Sequence, residues 1–127
     1  MFFKSEPKKV LVIDDDPSLL RQLRFRLVNS DKLNVIEAES GERRLEKIAT
    51  NDFNLIILDW MLPDMQGIDV LTELKSCEST KDIPVLMLTG RNKLGEVEDA
   101  FSRGTDGYLT KPFELGKLGS KVLEMLA

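Results

Sequence analysis

One stretch decides the fold of this chain: Leu55-Ile56-Ile57-Leu58-Asp59-Trp60-Met61-Leu62-Pro63-Asp64. Its four consecutive large apolar residues predict a strand that is buried on both faces of a sheet. Asp59 ends the run, so we expect its carboxylate at the carboxyl end of that strand, followed by a turn at Pro63 and Gly67. Ligands bind at the carboxyl ends of strands in open parallel α/β sheets. We therefore expect a functional site at the edge of the sheet that carries Asp59.

The strand before Asp59 has counterparts elsewhere in the chain. Residues 10–13 and 85–88 are further apolar runs, and residues 35–38 and 107–110 are shorter, mixed segments. Each is followed by apolar residues at helical spacing, which predicts an α/β domain with right-handed crossovers and a parallel sheet covered on both faces. The helical positions are Leu20, Leu23 and Leu27; Leu45, Ile48 and Ala49; Ile68, Leu71 and Leu74; Leu94, Val97, Ala100 and Phe101; and Leu115, Leu118, Val122 and Leu126.

Several helix ends are also readable. Asp16 before Pro17 fits the N-cap of the first helix. Ser40 fits a cap for the second helix, whose three apolar residues we expect to face inward. Gly104 fits a left-handed residue that ends the fourth helix. Trp60 is expected to be a partly exposed neighbour of Asp59 without a chemical role.

Composition limits the classes of function. The chain has 127 residues, 42% hydrophobic and 31% charged, which suits one globular domain of ordinary soluble type. A net charge of -4 argues against direct nucleic-acid binding. Cys77 is the only cysteine, and we see no signal peptide or membrane span, so a reducing cytoplasmic setting is expected. The chain has no histidine, which removes the commonest metal ligand and general base.

Four of the predicted strands end at ionic or hydroxyl residues, namely Asp14 with Asp15, Asp59, Thr89 and Lys111. Clustered carboxylates repel one another unless a cation neutralises them, and oxygen ligands alone favour Mg²⁺. A carboxylate can also attack a phosphoryl group, whose oxygens need a lysine, a hydroxyl and a metal as stabilisers. Gly90, after Thr89, leaves room for such a group. The pattern predicts a magnesium-dependent phosphoryl site.

The motifs together resemble the receiver domain of two-component response regulators. They are Asp14-Asp15, Leu58-Asp59, Leu62-Pro63-Asp64 with Gly67, Leu88-Thr89-Gly90, and Tyr108-Leu109-Thr110-Lys111-Pro112-Phe113. The likeness covers residues 10–127, so residues 1–9 are an N-terminal extension. It implies a single flavodoxin-like doubly wound (βα)5 domain with strand order 2-1-3-4-5.

The resemblance also implies roles for individual residues. Asp59 would be the phosphoacceptor, and Thr89 and Lys111 would contact the phosphoryl group beside Gly90. Thr89 and Tyr108 would form the switch pair, and Lys111-Pro112 would be a cis peptide. The implied Mg²⁺ ligands are Asp14, Asp15, Asp59 and the backbone carbonyl of Met61, and the implied rate-tuning positions are Met61 and Arg91.

The implied phosphodonor is a histidine kinase or a histidine phosphotransfer protein. The implied output is a downstream protein or effector domain that contacts the face formed by the fourth helix, fifth strand and fifth helix. Neither nucleic acid nor membrane is expected as a direct partner, and a phosphorylation-dependent dimer is a further expectation. Gly107 and Lys117 stand where winged-helix DNA-binding regulators carry acids, which argues against the symmetric dimer of that class.

Two other functions fit part of the pattern. Asp14-Asp15-Asp16 also resembles the nucleophile motif of haloacid-dehalogenase-type phosphatases, with Asp14 as nucleophile and Asp16 as acid/base. That family needs a further acidic pair, and beyond Lys111 only Glu114 and Glu124 remain. The second alternative is a receiver-like module that binds partners without phosphorylation. Such modules usually lack part of the acidic set or the lysine, and this chain has both. In the main interpretation the chain is no enzyme for an external substrate, because it catalyses only its own phosphorylation and dephosphorylation.

Overall fold

The computed structural model describes residues 7–90 and 93–127. It contains a five-stranded parallel sheet in the order β2-β1-β3-β4-β5, with helices alternating along the chain, so the predicted architecture is confirmed. The strands are β1 (Lys9–Ile13), β2 (Asn34–Ala38), β3 (Leu55–Leu58), β4 (Val85–Thr89) and β5 (Gly107–Thr110). The helices are α1 (Pro17–Arg24), α2 (Arg43–Thr50), α3 (Gly67–Ser76), α4 (Leu94–Ser102) and α5 (Leu115–Leu126).

Strands β1, β3 and β4 form the buried centre of the sheet. Every residue of β3 and β4 is buried, as expected for parallel strands covered on both faces. Because side chains alternate along a strand, Leu11, Ile56 and Met87 pack on one face, while Val12 and Leu86 pack on the other. The two faces carry separate hydrophobic clusters, and this packing holds the carboxyl ends of the strands in a common row.

The helix boundaries follow local chemistry. The Asp16 carboxylate accepts hydrogen bonds from the amides of Ser18 and Leu19, at 3.0 and 3.4 Å, so its predicted N-cap role is confirmed. Helix α1 continues as a π-helical stretch, Phe25–Ser30. Gly104 follows α4 with φ +104°, a conformation that favours glycine, as predicted.

The predicted inward face of α2 is wrong. Leu45 is 57% exposed and Ala49 is exposed, whereas Ile48 is half-buried and Arg44 is only 3% exposed. Arg44 turns inward because its guanidinium pairs with Glu73 of α3 and donates to a backbone carbonyl of the preceding turn. The inward face of α2 therefore carries Arg44 and Ile48. A helical pattern that starts from the apolar residue Leu45 does not include Arg44. The Ser40 hydroxyl accepts from the Arg43 amide at 3.0 Å, but Glu42 and not Ser40 holds the N-cap position of α2.

A polar network lies at the amino edge of the sheet, opposite Asp59. The Asp106 carboxylate accepts from the Val85 amide at 2.8 Å and from the Lys75 ammonium at 2.9 Å. The buried Thr105 hydroxyl donates to the carbonyls of Val85 and Gly107, at 3.1 and 2.9 Å. This network ties α3 to the first residues of β4 and β5.

Candidate functional site

The three carboxylates lie together at the carboxyl edge of the sheet. Asp14 and Asp59 are fixed because their amides continue the sheet ladder, donating to Ala38 and Ile13 carbonyls at 3.1 and 3.0 Å. Asp14, Asp15 and Asp59 each offer an oxygen, and these atoms lie within 4.8 Å of one another. Asp14 and Asp59 are buried, and Asp15 is exposed. This donor set fits a hard divalent cation that keeps part of its water shell, as Mg²⁺ does.

Lys111 supplies positive charge to the same site. Its ammonium lies 3.2 Å from Asp59 Oδ2 and 3.4 Å from Asp14 Oδ2. Its amide donates to the Thr89 carbonyl at 2.8 Å, and the Lys111-Pro112 peptide is cis, as the sequence predicted. Burial opposes the charged ammonium, but the two carboxylates outweigh it and hold the pKa of Lys111 above its ordinary value.

The ionised form of the Asp14 carboxyl is disfavoured in this site. Burial raises the pKa of its carboxyl from 3.8 to about 6, and the nearby Asp59 charge adds to this. The Asp16 amide, which donates to Asp14 Oδ1 at 3.0 Å, and the Lys111 ammonium both act in the opposite direction. The cluster brings three carboxylates to one ammonium, so a bound cation would reduce the repulsion between them.

Space for a further group lies next to Thr89. Thr89 ends β4, is 1% exposed, and pairs with Thr110 in the register of β5. A Cβ built on Gly90 would meet no atom within 4 Å, so the chain after Thr89 leaves open space. Arg91, the other predicted rate-tuning position, lies outside the described residues. Tyr108 is half-buried on β5, opposite Met87, and packs against the core.

The loop after Asp59 folds back closely on the strand. The Met61 amide donates to Asp59 Oδ1 at 3.3 Å, Met61 bridges to Gln66, and the Gly67 amide donates to the Trp60 carbonyl. A Cβ on Gly67 would overlap the Asp59 carbonyl oxygen, so only glycine allows this approach. Trp60 is 5% exposed and belongs to the core, so the expectation of partial exposure is wrong. The tight return of the loop carries the indole inward.

The sequence pattern alone does not reveal the contacts of two residues near this loop, Asp64 and Arg44. Asp64 belongs to the Leu62-Pro63-Asp64 motif, and its carboxylate accepts from the amides of Gly41 and Glu42. The hydrogen bond from the Gly41 amide is the main reason that the pKa of Asp64 lies below its usual value, and the bond from the Glu42 amide acts in the same direction. Buried Arg44 contacts the same turn, and its spacing of four residues from Ile48 was the only sequence signal.

The fold and site together define a flavodoxin-like domain with an acidic cluster and a lysine at the carboxyl edge of its sheet. The chain matches the response regulator receiver domain family over residues 10–123, and it belongs to that family. It is therefore a receiver domain of the kind that two-component systems contain. Among residues 7–90 and 93–127, none of the helices has the length and apolarity needed to cross a bilayer.

Individual relatives agree with this membership. The chain is 34% identical to the chemotaxis protein CheY-3 of Vibrio cholerae over 114 residues, which are 90% of this chain and 88% of that protein. A CheY-like receiver domain from Methanospirillum hungatei superposes with a TM-score of 0.86 at 29% identity, covering 95% of this chain and 94% of that one. The phosphorylated cyanobacterial phytochrome response regulator RcpA gives a TM-score of 0.82 at 25% identity, covering 94% and 91%.

Proposed function

We propose that this chain is a phosphorylation-activated switch whose phosphoacceptor is Asp59. The observation that carries the proposal is the meeting of three carboxylates with the Lys111 ammonium, which lies 3.2 Å from Asp59 Oδ2. A carboxylate that is both fixed by the sheet ladder and flanked by a cation is a suitable nucleophile for a phosphoryl group. Relatives give further support, since RcpA is described as phosphorylated.

In the proposed reaction a carboxylate oxygen of Asp59 attacks phosphorus in the phosphohistidine of a partner. The new bond is an acyl phosphate, and the breaking P–N bond leaves its electron pair on the histidine. Lys111 and Thr89 hold the phosphoryl oxygens, and Gly90 leaves space for them. Asp14, Asp15, Asp59 and the Met61 carbonyl would hold Mg²⁺, which supplies charge neutralisation to the phosphoryl oxygens when bound. Attack by water on phosphorus returns the free carboxylate and inorganic phosphate.

The proposed response to phosphorylation is a change on the surface of α4, β5 and α5. Thr89 would turn toward the new phosphoryl oxygens, and Tyr108 would move inward into the space that it vacates. Tyr108 is half-buried on β5 and packs against the core, which supports the proposed movement of its ring. The proposed partners are a histidine kinase or histidine phosphotransfer protein as donor, and a downstream protein or effector domain at this surface.

The test is to add Mg²⁺ and a small acyl-phosphate donor, and to weigh the intact protein. We expect one phosphoryl adduct that depends on Mg²⁺ and is absent in Asp59→Asn. Asp52→Asn, an exposed loop carboxylate outside the site, is the matched control and should accept the phosphoryl group normally.

Asp16→Asn separates the proposal from the phosphatase alternative. The Asp16 carboxylate caps α1 and is exposed, so its loss should leave the adduct intact. An adduct on Asp14 that needs Asp16 would favour the phosphatase. Mg²⁺ binding without any adduct, from either the small donor or a phosphohistidine protein, would favour the binding-only module.

A further inference from the structure

The tip of the loop after Asp59 is held by a second turn of the chain. Asp64 Oδ1 and Oδ2 accept from the amides of Gly41 and Glu42, at 2.9 and 2.8 Å. Those amides belong to the turn between β2 and α2, so one carboxylate joins two turns at the carboxyl edge of the sheet. A Cβ on Gly41 would come within 2.5 Å of the Met65 sulfur, so the two turns are also in direct contact.

Arg44 connects these two turns to helix α3. Its Nη1 donates to the Gly41 carbonyl and lies 3.5 Å from Met65 Sδ, while its Nη2 pairs with Glu73 of α3. One guanidinium therefore contacts the β2–α2 turn, the loop and α3. We call the side chains of Arg44, Asp64, Met65 and Glu73, with the backbone of Gly41 and Glu42, the Asp64 clamp.

Stability alone is a poor explanation for Arg44. Its side chain is 3% exposed, and its Nε is buried without a hydrogen-bond partner among the described residues. Its partner Glu73 is 60% exposed, so the cost of burying the guanidinium is set against an ion pair that solvent screens, and such pairs contribute little to stability. What Arg44 adds, and an apolar residue would not, is a directional hold on Gly41 and Met65.

We propose that the Asp64 clamp positions the loop that carries Met61, so that Arg44 and Asp64 are positioning residues for Mg²⁺ binding and phosphoryl transfer at Asp59. The inference rests on the proposed function. Met61 lies three residues before Asp64, and its amide is bonded to Asp59 Oδ1 at 3.3 Å. Release of Asp64 frees the tip of the loop, which loosens the Met61 carbonyl and the orientation of the Asp59 carboxylate.

The experiment measures the Mg²⁺ dissociation constant by Trp60 fluorescence in the full chain and in Asp64→Ala. Groups that orient metal ligands typically contribute 10- to 100-fold to metal affinity, so we expect affinity to fall about tenfold. Asp64→Asn keeps one acceptor oxygen and should recover part of the loss. Arg44→Met removes the guanidinium at similar volume and gives a second, independent variant in case Asp64→Ala does not fold.

Asp106→Ala is the matched control, because Asp106 also accepts a backbone amide and an ammonium, but at the amino edge of the sheet. It should lower stability without changing Mg²⁺ affinity. Parental Mg²⁺ affinity in both Asp64→Ala and Arg44→Met would overturn the inference, as would an equal loss in Asp106→Ala.

Phosphorylation of the parent chain, weighed in parallel, keeps the two proposals apart. A parent that binds Mg²⁺ but forms no adduct contradicts the proposed function, while the loss of affinity in Asp64→Ala still supports the clamp. A parent that forms the adduct while both clamp variants match it in Mg²⁺ affinity and phosphorylation rate refutes the clamp alone. A parent that does not bind Mg²⁺ overturns both.

Discussion

Gly67 is the position where one added methyl group should do most harm. A Cβ there would overlap the Asp59 carbonyl oxygen and lie 2.8 Å from the Asp59 carbonyl carbon and 2.9 Å from Trp60 Cα. All three atoms are backbone, so no flexible side chain can move aside. Relief requires a shift of the peptide between Asp59 and Trp60, which the ladder bond from the Asp59 amide to Ile13 resists.

The cost of Gly67→Ala can be bounded from this contact. Overpacking a well-packed site typically costs about 1–3 kcal/mol, and a clash with fixed backbone belongs at the upper end. With a urea m-value of about 2 kcal/mol/M, a loss of about 3 kcal/mol lowers the unfolding midpoint by roughly 1.5 M. Since the shifted peptide carries Asp59, the Mg²⁺ dissociation constant should also rise by about tenfold.

Urea unfolding and a Mg²⁺ titration test both numbers, with Gly116→Ala as the matched control. Gly116 lies in α5, and a Cβ there would meet nothing within 4 Å. Alanine has the higher helix propensity, so this variant should gain up to about 1 kcal/mol. A Gly67→Ala protein within about 1 kcal/mol of the parent, with unchanged Mg²⁺ affinity, would refute the close-approach explanation.

Two further predictions concern charge at the site. The pKa of Asp14 is raised to about 6, so its contribution to stability is present below about pH 4 and is lost as pH rises through 6. The shift corresponds to about 3 kcal/mol at most, and asparagine also gives up the ion pair with Lys111, so metal-free Asp14→Asn should be more stable than the parent at pH 7 by about 1–2 kcal/mol. Identical pH profiles of urea unfolding in the two proteins would contradict this. Lys111→Met removes the cation that contacts Asp59, so the phosphorylation rate should fall about 10²-fold or more while Mg²⁺ still binds. Rapid-quench mass measurements test the rate, and a near-parental rate would show that the ammonium is dispensable.

The residues at the strand ends were the easiest part of this structure to predict. An apolar run that stops at Asp59 or Asp14 reports a buried strand and the point where its apolar packing gives way to polar side chains, because a charged side chain needs polar partners when it is buried. The same logic placed Thr89 and Lys111, and parallel topology then brought these ends into one row.

Two features could not be predicted because long-range contacts outweigh the local pattern. Leu45 has the periodicity of an inward residue, but Arg44 takes the inner position through its contacts with Gly41 and Glu73. Trp60 precedes a turn of polar composition, yet the chain returns close to it at Gly67 and its ring is buried in the core. The partner Glu73 of Arg44 lies on another helix, and Gly67 returns to Trp60 from the far end of the same loop, so the residue pattern next to Arg44 or Trp60 does not report either contact.

The polar network of Lys75, Thr105 and Asp106 stabilises the domain at a distance from its candidate site. It lies at the amino edge of the sheet, while the carboxylates and Lys111 lie at the opposite edge. Engineered thermostability often reduces activity when the stabilised residues are the ones that must move. Here the amino edge offers a region for such engineering that shares no side chain with the acidic cluster. Variants optimised there should tolerate heat better and keep the parental Mg²⁺ affinity.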